Sequence, residues 1–339
     1  MTTSYISLLN VDLQYLGRSE DEEIEEANLI RIPSHRRINN FGVIFTIVKC
    51  YTSAGCLTIP HGLSNAGILA IVFFPVVLLL NLYSMLLLVR CRRELEEAGA
   101  SFSKLATLAV CRPFGLLVNV CSKCFQSTVI VTHMILIASF LEACSFVPHL
   151  STSQWLGFLL LPILLLCLIR QFKGAAWVAF AASICLLFAI LIVSSRSLTI
   201  ILSDGISPSL TLFDTPGAIS FFGQLIYLLE GRSLTLPTFN SMKHQSQFDR
   251  ILVFSLLSLL IIFSVFSIII CMAFGTQISD QPFTQLLKNP LFLNTSSILV
   301  CISMLISLFI MSIPLFQSLE FNIRNRYRKF QKWVFGHHV

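Results

Sequence analysis

From Ile251 to Phe274 the chain runs for 24 residues without one charged side chain. A helix rises about 1.5 Å per residue, so this run is long enough to cross roughly 30 Å of bilayer hydrocarbon. It is rich in Leu, Ile and Phe, with scattered Ser, which suits a lipid-facing helix with some polar contacts to its neighbours. Seven more apolar segments can be read, giving eight in all, at about 41–59, 66–89, 114–141, 150–169, 175–195, 217–236, 251–274 and 292–319. Only 12% of the residues are charged and 55% are hydrophobic, with mean hydropathy +0.81. Soluble domains carry about 25% charged residues, so a soluble enzyme, a nucleic-acid binder and a disordered scaffold are excluded. The expectation is an all-α polytopic membrane protein with about eight transmembrane helices. Residues 1–40 form a polar tail, 41–320 the membrane domain and 321–339 a basic tail.

Lys and Arg set the orientation. With the N-terminus cytosolic, 18 of them fall on inside segments, and only Arg196 and Lys288 fall outside. Lys49, Lys123 and Arg232 lie within spans. Both termini are therefore expected in the cytosol. The sequon Asn294-Thr295-Ser296 falls in the outside loop before span eight, which makes Asn294 a glycosylation candidate. The first 40 residues lack the basic start and apolar core of a cleaved leader. They carry the acidic block Glu20–Glu26 instead, with Ile24 inside it. Most of the 11 cysteines sit in apolar runs, where a thiol behaves as a small hydrophobe. No disulfide framework, metal site or cofactor is expected, and the Cys121/Cys124 pair reads as packing.

Polarity inside the spans is concentrated at two places. Span six contains Tyr227-Leu228-Leu229-Glu230-Gly231-Arg232. An intramembrane carboxylate is a functional candidate by default, and the adjacent Gly marks a place where a helix can break. The alternative is a helix end whose charges snorkel to the interface. Span one contains Ser53-Ala54-Gly55-Cys56 ahead of Pro60. This stretch can unwind and offer backbone N–H groups to a carboxylate, or it can mark a close helix–helix contact. Interrupted helices at corresponding positions, first and sixth, point to the midplane substrate site of a secondary transporter.

These residues resemble the amino acid/auxin permease family, which includes proton-coupled and vesicular amino acid transporters. In span one the matching residues are Lys49, Gly55, Leu57, Pro60, Asn65, Ala66 and Gly67. In and after span six they are Phe222-Gly223, Glu230-Gly231, Leu236-Pro237, Asn240 and Met242-Lys243. Ala273-Phe274-Gly275, Pro314 and Gln126 also fit. The departures are Ser53-Ala54-Gly55 in place of Gly-Thr-Gly, Thr58 in place of Gly, His61 after Pro60, and Arg232 beside Glu-Gly.

The resemblance implies a secondary transporter of small amino acids that works by alternating access and is driven by protons. The fold it implies is the five-plus-three portion of an inverted-repeat (LeuT-like) architecture. Spans nine to eleven of the family are lacking, and a partner membrane subunit is one way to supply them. A non-transporting structural or regulatory subunit and an incomplete gene model are the competing readings. The substrate carboxylate would meet the backbone at Ser53, Ala54, Gly55 and Cys56, and its ammonium would meet carbonyls around Tyr227, Glu230 and Gly231. Glu230 would brace the break or carry the coupling proton, with Gln126 in support. Two short patterns in the N-terminal tail, Tyr5-Ile6-Ser7-Leu8 and the acidic dileucine Glu25–Ile30, point to endosomal, lysosomal or vacuolar membranes. The basic tail, Asn322 to Phe330, reads as an anchor against anionic lipid, with no nucleic-acid role.

Overall fold

The computed structural model describes residues 38–52, 55–94, 102–144, 150–167, 175–228, 231–278 and 290–335. They form helices α1 (Asn40–Tyr51), α2 (Gly55–Ala66), α3 (Phe73–Glu94), α4 (Phe102–Ala109), α5 (Arg112–Ala143) and α6 (Thr152–Cys167). These are followed by α7 (Ala175–Asp204), α8 (Thr215–Leu228), α9 (Arg232–Ser241), α10 (Phe248–Phe274) and α11 (Pro290–Phe335). Hydrocarbon offers no hydrogen-bond partners, so each segment satisfies its own backbone as a helix. The hydroxyls inside the helices do the same. Thr46 donates to the Gly42 carbonyl at 2.8 Å, Ser197 to Val193 at 3.0 Å and Ser258 to Phe254 at 2.8 Å.

By length and apolarity, five helical stretches among the described residues are able to cross a membrane: Ile68–Glu94, Arg112–Glu142, Ala176–Asp204, Gln245–Phe274 and Phe292–Ser312. The pair α1/α2, bent by 47°, brings this to six. The expected fourth span falls on the 16-residue α6. The expected sixth is divided between α8, with 14 residues, and α9, with 10. The first apolar segment, expected at 41–59, stops at Tyr51 and resumes from Gly55 to Ala66. The second begins in a 3₁₀ turn, Ile68–Val72, after Gly67 has reversed the chain at φ 87°.

Small residues set the closest approaches. Ala179, Ala182 and Ala189 on α7 are fully buried, and a Cβ built on Gly42 of α1 would lie 2.8 Å from the Ala176 Cβ. The most extensive packing is α2 against α8, followed by α11 against α7 and α5. Helix α10 touches α1, α2, α3 and α7, whereas α6 packs on α5 and α11. The outer faces are apolar, with Phe254, Ile261 and Leu202 largely exposed, as a lipid-facing belt requires.

Backbone hydrogen bonds tie the two broken helices together at both ends. At one end, the chain entering α1 pairs with the chain leaving α9. Ile38 N–H donates to Ser241 O at 2.8 Å, and Lys243 N–H to Ile38 O at 3.0 Å. At the other end, the chain leaving α2 pairs with the chain entering α8. Asp214 N–H donates to Ala66 O at 2.8 Å, and Ile68 N–H to Thr211 O at 3.1 Å.

Beside the first of these ties, Arg93 of α3 clamps Asp249 of α10 with two bonds, at 2.9 and 2.8 Å. It also donates to Gln245 O at 3.1 Å and lies over the Phe239 ring at 5.4 Å. Both side chains of the ion pair are about one-third exposed. Arg93→Ala is therefore expected to lower unfolding stability in detergent by no more than about 1 kcal/mol, read as a small shift in thermal midpoint.

Candidate functional site

The two helix breaks lie against each other. On the first side, α1 ends at Tyr51, and Thr52 N–H returns to the Val48 carbonyl at 2.9 Å. Ser53 and Ala54 lie outside the described residues. Helix α2 then starts on Gly55, and the Thr58 hydroxyl donates back to the Gly55 carbonyl at 3.0 Å. Pro60 lies inside α2. It has no N–H, so the Cys56 carbonyl lacks its usual helical donor. On the second side, α8 ends at Leu228, and α9 starts after Gly231 and contains Pro237. Leu229 and Glu230 lie outside the described residues, and no geometry is assigned to the Glu230 carboxylate.

The contact between the breaks is reciprocal. A Cβ on Gly231 would lie 2.6 Å from Tyr51 Cε2, so the ring that ends α1 occupies the space in front of α9. A Cβ on Gly55 would lie 3.2 Å from both Tyr227 Cδ1 and Leu228 Cα, so the end of α8 lies against the start of α2. Each break thus uses a glycine to receive the tyrosine that closes the first half of the other. Gly231 has φ −55°, so it is required there for space and not for an unusual backbone conformation. Together with the end-to-end ties, this makes α1/α2 and α8/α9 two interlocked broken helices running in opposite directions.

An apolar cavity of about 10 Å³ adjoins both breaks, lined by Tyr51, Phe74, Leu78, Leu228, Leu256, Leu259 and Phe263. That is close to the least space one water occupies.

Of the expected site residues, the fold brings Gly55, Tyr227 and Gly231 into one contact. Cys56 is buried in the first turn of α2. Gln126 lies half-buried on α5, a helix whose main neighbours are α4, α6 and α11, not the broken pairs. Asn294 is 4% exposed in α11. His61, a departure from the family pattern, bonds through Nδ1 to the Ile278 carbonyl at 2.7 Å. The N-terminal sorting patterns lie outside the described residues.

The fold also brings in residues outside the expected site set, Lys49 among the charges already noted within spans and His133 not noted at all. Lys49 is fully buried on α1, and its ammonium donates to Ser303 Oγ on α11. Cys50, Cys56 and Cys185 are its ionisable neighbours, and no carboxylate contacts it among the described residues. His133 on α5 is also fully buried. An ionisable side chain within an apolar run is itself a signal, and that signal applies to both.

The architecture is that of a polytopic helical membrane protein built around two interlocked broken helices. The model of the family described as transmembrane amino acid transporter protein matches residues 36–337, and the chain belongs to that family. Its members are transporters, not enzymes. The chain is also similar to a protein of Arabidopsis thaliana named amino acid transporter AVT3C, with 25% identity over 332 residues. The match covers 89% of this chain and 74% of that protein.

Proposed function

We propose that this protein is a secondary active transporter of small amino acids, driven by protons and working by alternating access. The observation that carries the reading is the reciprocal seating of Tyr51 on Gly231 and of Tyr227 beside Gly55. Paired broken helices leave backbone donors and acceptors free to meet a zwitterion, and the contact between these two breaks supports that reading. The substrate carboxylate is read onto the amides of residues 53–56 and its ammonium onto carbonyls of residues 227–230. The side chain would point at the apolar wall of Tyr51, Phe74, Leu78 and Phe263, where an aliphatic group would sit. The membrane domain makes eight passes with both ends cytosolic, in an inverted-repeat arrangement. The packing supports the helix grouping of that arrangement, because spans one, two, six and seven gather on one side and three, four and eight on the other, with span five packed on both.

The direct test is uptake of labelled amino acids into proteoliposomes under a pH gradient. Uptake that follows the gradient is expected, and no uptake by monodisperse, folded protein would sink the reading. Within it, Glu230 braces the break or carries a proton. Glu230→Gln is expected to reduce gradient-driven uptake, and a variant with full proton-driven uptake would remove the coupling role. The acidic dileucine motif supports an endosomal, lysosomal or vacuolar address. Replacing Leu29 and Ile30 with alanine is expected to move the protein to the cell surface, measured by surface biotinylation.

A further inference from the structure

At the junction of α1, α5 and α11, two ionisable side chains are fully buried, Lys49 and His133; Lys49 reaches α11 at Ser303, and α11 reaches α5 two residues earlier, through Cys301. His133 Nδ1 is 2.8 Å from the carbonyl of Val129, one turn earlier on its own helix. A carbonyl only accepts, so Nδ1 carries a hydrogen, and in the neutral ring Nε2 holds a bare lone pair. Nε2 is buried and has no partner among the described residues. An unmatched acceptor in a membrane interior is costly and needs a purpose.

The surroundings are specific. From α1 come Lys49 and Cys50, from α2 Cys56 and from α7 Cys185. From α11 come Ser303, which receives the Lys49 ammonium, and Cys301, whose Sγ faces the Ile137 carbonyl at 3.9 Å, one turn beyond His133. Helix α6 contributes no ionisable group among its described side chains, and no described carboxylate belongs to the cluster.

We propose that His133 and Lys49 form a proton-binding site at this junction, in which His133 Nε2 carries a proton that moves with the substrate. Its holding and release are set by the distance of the Lys49 ammonium. The proposal rests on the transport reading above and adds a site separate from Glu230. With Lys49 docked on Ser303, a proton on Nε2 would place two cations side by side in an apolar junction, so the ring stays neutral. When α1 leaves α11 during alternating access, it carries Lys49 away, and Nε2 accepts a proton from the water that enters. When α1 returns, repulsion expels the proton to the side then open, and the neutral ring is restored. One proton is taken up and one released per cycle, and no bond other than N–H is made or broken.

The test uses the full chain in proteoliposomes with a mixture of labelled glycine, alanine, serine and leucine, together with a titration that does not depend on transport. His133→Gln is expected to keep amino-acid counterflow at equal pH while gradient-driven accumulation falls about tenfold, within the usual range of coupling between sites. His133→Asn, which keeps a donor toward Val129 O, is expected to show the same split. Accumulation at the wild-type level in both variants would overturn the proposal. In histidine-labelled protein, the His133 resonance is expected to move as the pH is varied, and its titration to be displaced in Lys49→Met. A resonance that never titrates, or that ignores Lys49→Met, would overturn it too. If the wild type shows neither counterflow nor accumulation, the transport reading fails, and the titration still decides the proton site.

Discussion

Gly231→Val is expected to abolish amino-acid accumulation while leaving the helices intact. The first side-chain atom at this position would lie 2.6–2.8 Å from three atoms of the Tyr51 ring. That ring is 2% exposed and backs onto the apolar wall of Phe74, Leu78 and Phe263, so it has little room to yield. Overfilling a packed contact costs about 1–3 kcal/mol, which a folded bundle tolerates. The alignment of the two breaks is less forgiving, because a displacement of about 1 Å at a reacting or binding centre costs up to roughly 100-fold. Uptake in proteoliposomes is therefore expected to fall by more than about tenfold, with nearly unchanged circular dichroism. The matched control is Gly223→Val on α8, where an added Cβ meets nothing within 4 Å. Wild-type uptake by Gly231→Val would show that the Tyr51 contact does not hold the site.

Gly67→Ala is expected to act through folding. Gly67 sits at φ 87°, ψ 154°, a region essentially reserved for glycine, where other residues cost about 1–3 kcal/mol. An added Cβ would also lie 2.6 Å from the Leu212 carbonyl oxygen and from Phe213 N. These are backbone atoms held in place by the bond from Leu69 N–H to Leu212 O, so they cannot turn aside as a side chain can. Adding the two effects gives a loss of about 2–6 kcal/mol, a large share of the stability of an ordinary domain. A sharply lower thermal midpoint by fluorescence-detected size exclusion is expected, with Gly223→Ala unchanged. An unaltered midpoint for Gly67→Ala would mean that the turn between α2 and α3 relaxes freely.

Much of this architecture is legible along the chain, because bilayer solvation acts locally. Ile251–Phe274 has no charge over a membrane-spanning length and forms one helix, α10. The interruptions at Gly55 and Gly231 are equally local in cause, since a glycine beside polar residues weakens a helix wherever it lies. The first segment shows the limit of this reading. Hydropathy falls after Ile59, yet helix α2 continues to Ala66, because Leu63 and Ala66 are buried against neighbouring helices. Packing within the bundle thus extends a helix that composition alone would end.

The sequence by itself determined that the chain must bury apolar helices in lipid, and that two of them break beside small residues. It also carried the family resemblance, since spacing along one chain is a one-dimensional property. Only the tertiary structure decided that the two breaks abut, each receiving the other's tyrosine. It alone joined Lys49 to Ser303 across 254 positions and left the buried Nε2 of His133 without a partner among the described residues. Such contacts depend on how helices far apart in sequence cross and rotate. That geometry is set by the shapes of packed side chains from the whole bundle, and no local pattern encodes it.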